Sequence, residues 1–373
     1  MKTRKKFTII AVSFMLTLLL IFVVVMLYWR SPVVVSVSAG DVHSMAIRSD
    51  GSLWIWAWWG SSSGQLGNGT AEIRYSPVKI MDDVTVASAG GGHSMAIRSD
   101  SSLWALGNNS SGQLGDGTRE DRYYPVKIMD DVTVASAGGG HSMAIRGDGS
   151  LWAWGNNSSG QLGDGTTEMR YYPVKIMDDV IAVSAGGSHS MAIRSDGSLW
   201  RWGGNAWGQL GDGTTERRYS PVKIMDDVIA VSAGGSHSMA IRSDGSLWAW
   251  GWNVSVQLGY GTIESRYSPA KIMDDVVAVS AGWRHTMAIR NDGSLWAWGD
   301  NWYGQLGDGT TEDRHSPVKI MDDVTVASAG GSHSMAIRSD GSLWAWGWNE
   351  WGQLGDGTME DRHTPVRITV GGR

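Results

Sequence analysis

Residues Ser184 to Val231 read SAGGSHSMAIRSDGSLWRWGGNAWGQLGDGTTERRYSPVKIMDDVIAV, and this text decides the fold because the chain repeats it. His43, His93, His141, His189, His237, His285 and His333 mark the sixth position of seven such units; after a first step of 50 residues they fall 48 apart. A period of that length marks a supersecondary unit that buries its apolar surface against its neighbours. Within the unit, the runs VSAG, MAIR and LWAW are short, rich in β-branched and aromatic residues and separated by Gly and Asp, which marks them as strands. Ser-Asp-Gly between Arg242 and Ser246 supplies residues that tolerate positive φ, as a tight hairpin requires. A fourth strand starts at Pro-Val-Lys-Ile, since proline lacks an N–H and is accepted at a strand start or on an edge. Four strands in each of seven units predict an all-β chain, a seven-bladed β-propeller of four-stranded blades. The first unit opens at Val33 with no complete Pro-Val-Lys-Ile-Met-Asp-Asp ahead of it, and the last stops soon after Pro365-Val366-Arg367-Ile368. These ends predict a ring closed by the C-terminal strand, which would complete blade one and hide two sheet edges.

The pattern G-x-x-H-(S/T)-M-A-(I/L), D-G-S-L-W-A-W-G, N-x-x-G-Q-L-G-D-G-T and a later Pro-Val runs through about nine tenths of the chain. It resembles the repeat of the regulator of chromosome condensation family, and the resemblance implies a seven-bladed propeller. It implies much less about activity, because that fold hosts exchange factors, enzyme inhibitors, a photoreceptor and binding modules. Gly282-Trp283-Arg284-His285-Thr286 resembles the motif with which the family's plant UV-B photoreceptor builds Trp clusters and Arg-mediated dimer contacts, but it occurs once here.

Residues 1–6 form a short basic segment, and residues 7–28 run from Phe7 to Tyr28 without a charge. At about 1.5 Å rise per residue, a helix of that length spans the roughly 30 Å hydrocarbon core of a bilayer. Tyr28-Trp29-Arg30-Ser31-Pro32 offers no small-residue cleavage site, so the stretch reads as an uncleaved transmembrane anchor followed by a tether at 29–32; secretion after cleavage is the alternative. Lys2, Arg4, Lys5 and Lys6 ahead of it keep the N-terminus in the cytoplasm and place the propeller, residues 33–373, outside. All three Phe residues lie in the anchor, so the propeller builds its aromatic core from Trp and Tyr, and with no Cys it has no disulfides. Beyond residue 30 the chain keeps 26 Lys and Arg against 37 Asp and Glu, a net charge of −11. That balance opposes phosphate backbones and predicts no nucleic-acid partner.

Antiparallel strands send alternate loops to opposite faces. The Ser-Ala-Gly corner and the long N-x-x-G-Q-L-G-D-G-T connection share one face, the top. The Ser-Asp-Gly hairpins and Met-Asp-Asp turns share the bottom, where Asp82, Asp83, Asp130, Asp131 and their counterparts predict an acidic surface. The first strand ends on top at Ser38-Ala39-Gly40, so the anchor is expected on the bottom side. Trp104, Trp152, Trp200, Trp248, Trp296 and Trp344 recur in strand register and are assigned to packing between sheets. The non-repeating aromatics fall in or beside top-face loops, including Trp58 and Trp59 in blade one, whereas blades two and three carry Asn-Asn-Ser-Ser at Asn108–Ser111 and Asn156–Ser159. Trp207, Trp252, Trp283, Arg284, Trp302, Tyr303, Trp348 and Trp351 form the predicted partner-binding set. Repeat drift with partly buried loop anchors is the competing explanation.

One histidine per blade is too sparse for ligands that must converge within about 2 to 2.2 Å of an ion, so a structural hydrogen bond is expected and no metal. Gly211-Asp212-Gly213-Thr214 lacks the alternating acids and terminal Glu of a calcium loop. Gly60-Ser61-Ser62-Ser63-Gly64 matches the nucleophile-elbow string, but that motif needs a helix that the sequence does not offer. No phosphate-binding loop and no distinct acid pair occur. The sequence therefore predicts no enzyme and no cofactor, but a membrane-anchored extracytoplasmic propeller that binds a protein or surface polymer through its aromatic loop face. The alternatives are an exchange-factor-like regulator of a nucleotide-binding protein, if the topology is inverted, and an enzyme-inhibitor-type propeller.

Overall fold

Along the second and third strands of each unit, Met, Ile and Leu alternate with Ala and Trp, so both faces of every sheet are apolar and both must be covered. In the computed structural model, which describes residues 32–57 and 74–371, seven four-stranded antiparallel sheets meet that demand by packing face to face. Blade two is representative, with Val84–Ala89, His93–Arg98, Leu103–Gly107 and Arg122–Met129 in order. Its Met95, Ile97, Leu103 and Leu114 pack on Val132, Ala144 and Trp154 of blade three. The core therefore lies between blades, in seven such clusters.

The tryptophans divide this work unevenly. Trp152 is half-buried, and its Nε1 donates to Ser150 Oγ of the hairpin at 2.9 Å. The second Trp of the run, at Trp56, Trp154, Trp202, Trp250, Trp298 and Trp346, is fully buried. The packing role assigned to the Trp104 series thus belongs in larger part to this second series, which blade two replaces with Leu106.

The expected closure by the C-terminal strand is not what forms. Blade one is Val34–Ala39, Ser44–Arg48, Leu53–Trp56 and Val78–Met81, and blade seven ends on its own Arg362–Ile368. The first unit takes its fourth strand from Pro77-Val78, so all seven blades are uninterrupted. Closure comes instead from a seam that is the same at every interface. Gly331 N donates to Gly40 O at 3.0 Å, as Gly139 N does to Gly186 O at 3.1 Å. Ala39 N donates to Ser328 Oγ at 2.9 Å, as Ala185 N does to Ser136 Oγ at 3.0 Å. His333 Nε2 lies 2.8 Å from Ser44 Oγ, as His141 Nε2 lies 2.9 Å from Ser190 Oγ. After the last strand, Val370 is buried with Val34, Val37 and Ala39 of blade one, so the tail fastens the ring by apolar contact.

The histidine seam fixes its own chemistry. Ser190 Oγ donates its single proton to Gln161 O at 2.7 Å, so the proton between Ser190 and His141 must come from Nε2–H. Nδ1 then carries no proton, and it is buried without a hydrogen-bond partner. The imidazole stands over the corner glycine, where a Cβ on Gly138 would fall 2.6 Å from His141 Cε1. Burial holds His141 down to about 4, and it holds His189 down to about 3 with Arg201 and the neighbouring histidines adding to it.

On the bottom face, the second Asp of each Met-Asp-Asp turn takes a positive φ, 62° at Asp131, which Asp tolerates. The acids there are largely paired: Lys127–Asp130 at 2.7 Å and Arg146–Asp131 at 3.6 Å. The expected acidic bottom is thus laced with cations, because blades one to six each set a Lys beside the Asp of their Met-Asp-Asp turn. Among the described residues no helix is long and apolar enough to cross a membrane. The anchor expected at 7–28, together with Trp58, Trp59 and the Gly60–Gly64 string, lies outside the described residues.

Two outcomes follow from the seam histidines and from a buried arginine in blade four. The unfolded chain binds protons near pH 6.5 that the native ring refuses until about pH 4 or 3, so histidine-linked stability is full above that range and falls as pH drops through it. Each histidine contributes up to about 1.4 kcal/mol per pH unit. Denaturant midpoints measured from pH 7 to 4.5 should fall steeply; a flat profile would contradict neutral seam histidines. In blade four, Arg201 replaces the Ala of blades two, three and five to seven; it is fully buried, 4.2 Å from the Trp250 ring, with Nη1 donating to Gln209 O at 3.0 Å and with Nε and Nη2 unpartnered. Removing a buried, incompletely paired charge in favour of the repeat's own residue, Arg201→Ala, should stabilise the propeller by about 1–2 kcal/mol, read as a higher thermal midpoint.

Candidate partner-binding site

The long top-face connection is a rigid frame built on two buried amides. In blade three, Asn157 Nδ2 donates to Asp164 Oδ1, Thr166 O and Glu168 O at 3.0–3.1 Å, while its Oδ1 accepts from Leu162 N at 3.0 Å. Gln161 Oε1 accepts from Ser159 N at 2.9 Å, and its backbone carbonyl takes both Ser190 Oγ and Trp202 Nε1 of blade four. The Gly-Asp-Gly-Thr text is turn chemistry closed by an ion pair, Asp164 to Arg170 at 2.6 Å. Burial pushes the Asp164 carboxyl up, but Thr166 and Arg170 more than offset it and hold the group below the usual carboxylate range.

The two residues between the buried Asn and the following Gly, or Val256 in blade five, contribute no side chain to the amide frame, so their identity can change. They are Ser158-Ser159 in blade three, Ala206-Trp207, Val254-Ser255, Trp302-Tyr303 and Glu350-Trp351 in blades four to seven. The residue before the Asn is tied by its amide to the neighbouring corner: Trp252 N to Ser236 O at 2.9 Å and Asp300 N to Arg284 O at 3.1 Å. Varied positions of adjacent blades then meet across the seams. Trp207 and Trp252 lie 6.1 Å apart between centroids, tilted at 42°, and Tyr303 and Trp348 lie 5.5 Å apart at 37°. The Arg284 guanidinium is 5.5 Å from the Trp252 ring centroid. Trp283 rests on Gly235, where a Cβ would come within 3.2 Å of its indole.

The predicted set thus forms an arc over blades four to seven. Trp302 is its most exposed member, 75% exposed, while Trp207 and Trp283 are somewhat less than half exposed. Trp351, its amide donating to Gln353 Oε1 at 3.0 Å, stands at the blade-one end of the arc. Trp283, Arg284, Tyr303 and Trp302 share a cleft of about 590 Å³ with two residues the sequence reading missed, Asp300 and Asp313. Asp300 carried a signal, since the other described blades have Asn, Gly or Trp there; Asp313 recurs as Asp121 and Asp361 and carried none. Burial pushes the Asp300 carboxyl up, against the hydrogen bond from Trp302 N at 3.1 Å. At the ring axis, the corner glycines leave a cavity of only about 90 Å³ beside Asp41, room for a few waters. Among the described residues no group of three or more His, Asp or Glu could hold a metal ion.

The sequence model of the RCC1-like domain matches residues 26–262 and 215–373. The chain belongs to the RCC1-like domain family. Among solved structures, this RCC1-like propeller is similar to human WBSCR16, at 25% identity and a TM-score of 0.77 over 86% of this chain and 94% of that one. It is also similar to yeast RCC1 (Prp20) bound by Kap60, at 21% identity and 0.76 over 89% and 85% of the two chains. Prp20p from Saccharomyces cerevisiae, in a structure presented with its binding properties to Gsp1p and histones, gives 21% identity and 0.75 over 90% and 87%. No curated protein matches the sequence.

Asn301 is the frame's strut in blade six: its Nδ2 donates to Asp308, Thr310 and Glu312, and its Oδ1 accepts from Leu306 N at 2.9 Å. Asn301→Ala should cost about 2–3 kcal/mol by leaving these groups unmet. Amide hydrogen exchange at Leu306 should accelerate with it; an unchanged rate would show that the loop is held otherwise.

Proposed function

We propose that this RCC1-like propeller is a non-catalytic binding module, anchored in a membrane by residues 7–28 with the propeller on the extracytoplasmic side, that captures a protein or surface-polymer partner through the aromatic arc of blades four to seven. The observation that carries this reading is the placement of the aromatics. They occupy positions beside the buried Asn of a rigid loop frame in four successive blades, ahead of it at Trp252 and Trp348 and after it at Trp207, Trp302, Tyr303 and Trp351, while blades two and three keep Asn ahead of it and two Ser after it. Large, partly exposed aromatics concentrated on one face are what interaction sites are made of. Repeat drift would scatter them around the ring.

The Prp20p structure, with its binding properties to Gsp1p and histones, favours a second reading, exchange-factor-like regulation of a nucleotide-binding protein. The compartment separates the two. Protease added to intact cells should degrade the propeller under the first reading and spare it until permeabilisation under the second. For the face itself, replacing Trp207, Trp302 and Trp351 together by Ala should abolish partner capture from surface extracts with folding intact, because aromatic anchors contribute about 2 kcal/mol or more each. Reversing Asp130, Asp131, Asp178 and Asp179 to Lys should change capture little. The opposite ranking would move the site to the bottom face.

A further inference from the structure

The cleft at the seam of blades five, six and seven has a composition of its own within the arc. Its walls are aromatic, with Trp302 standing three-quarters exposed, Trp283 seated on Gly235, and Tyr303 braced against Trp348. Its charged groups are two carboxylates, Asp300 and Asp313, against one guanidinium, Arg284, which lies over the Trp252 ring, and Ser255 and Ser332 add neutral polar lining. Both carboxylates are fixed from behind by backbone amides: Trp302 N donates to Asp300 Oδ1 at 3.1 Å and Asn301 N donates to Asp313 Oδ1 at 2.9 Å. The cleft is therefore preorganised, net negative and lined by π faces.

We propose that this cleft is the subsite for a cationic side chain of the partner, arginine above all, so that the partner presents a basic segment to blades five to seven. The inference rests on the top-face reading above and names the chemistry it would recognise. A guanidinium can lie on an indole face while its N–H groups reach a carboxylate, which combines cation–π attraction with charge-assisted hydrogen bonding. A cleft of about 590 Å³ admits the side chain with its flanking backbone. Burial pushes the Asp300 carboxyl up, and the neighbouring Asp313 adds to it, against the Trp302 amide and the Arg284 guanidinium, which pull it down. A neutral sugar would use the indole faces but leave the cleft's net negative charge unmatched, two carboxylates against one guanidinium, and an anionic ligand would add to it.

The test uses the full chain in detergent with Trp labelled as 5-fluorotryptophan, titrated with a short blocked glycine–serine peptide carrying two arginines and with its citrulline counterpart, isosteric but neutral. The arginine peptide should shift the fluorine signals of Trp283 and Trp302, assigned by single Trp→Phe substitutions, and bind at least about tenfold more tightly than the citrulline peptide. Asp300→Asn with Asp313→Asn should remove that preference without changing the thermal midpoint greatly, while Asp130→Asn, on the opposite face beside Lys127, should leave the peptide's affinity unchanged. Equal binding of the two peptides, no binding of either, or chitohexaose shifting the same two signals more strongly would each overturn the proposal. If the peptide fails while the triple Trp variant still loses its partner, the ligand chemistry is wrong and the face stands. If both fail, the face is wrong as well.

Discussion

The seam hydrogen bond from His Nε2 to the next blade's Ser or Thr, and from that hydroxyl to a Gln carbonyl, is the interaction on which the rest depends. It couples three pieces of chain: the corner of one blade, the second strand of the next, and the top loop that reaches between them. A seven-bladed ring closes only if each interface imposes the same angle, and a directional network of fixed length does that better than apolar packing, which tolerates sliding. The corner glycine, the neutral imidazole and the buried second Trp follow from it. Glycine leaves room for the ring, burial keeps it uncharged, and the indole N–H fills the second lone pair of the Gln carbonyl.

That division of labour separates what each unit must keep from what it can change. The buried Asn amide and the Gln Oε1 hold the loop frame, so the residues between them carry no structural debt to the seam; Nε2 of Gln257, Gln305 and Gln353 is buried without a hydrogen-bond partner. Blade five shows how far the frame bends: where other described blades have the Asp of Gly-Asp-Gly-Thr, Tyr260 places its hydroxyl 2.6 Å from the carbonyls of both Ala249 and Ala270, and Arg266 lies 5.2 Å from its ring. Where the Asp accepts from Thr, Arg and Asn donors, the tyrosine hydroxyl meets strand carbonyls instead, and the loop persists. A scaffold of this kind can gather aromatics on one face without losing stability.

Much of this was legible in the sequence, for a physical reason. A 48-residue period fixes the blade, alternation of Met, Ile and Leu with Ala and Trp fixes two buried faces, and Gly, Asp and Pro punctuate the turns. Comparing units pointed to Trp207, Trp283 and Trp302, because departures from a repeat stand out against it. Closure was misread because the missing first Pro-Val strand suggested a swapped edge, whereas the seam needs none once Ser44 and Gly40 receive blade seven. The acid pair of the cleft was not legible: Asp300 and Asp313 are 13 positions apart, and only the folded loop brings them to one wall. Likewise the cations that offset the bottom aspartates come from different strands, and pairing across a turn is a property of register.

The most direct measurement of a fixed ring presenting one varied face is amide hydrogen exchange of the full chain, free and with its captured partner bound. Protection gained on binding should be confined to the top loops around 204–208, 252–256, 283–284, 300–304 and 348–352, with the seam strands already slow in the free protein. Protection concentrated at the Ser-Asp-Gly hairpins and Met-Asp-Asp turns, or spread equally over the loops at 108–112 and 156–160, would contradict it.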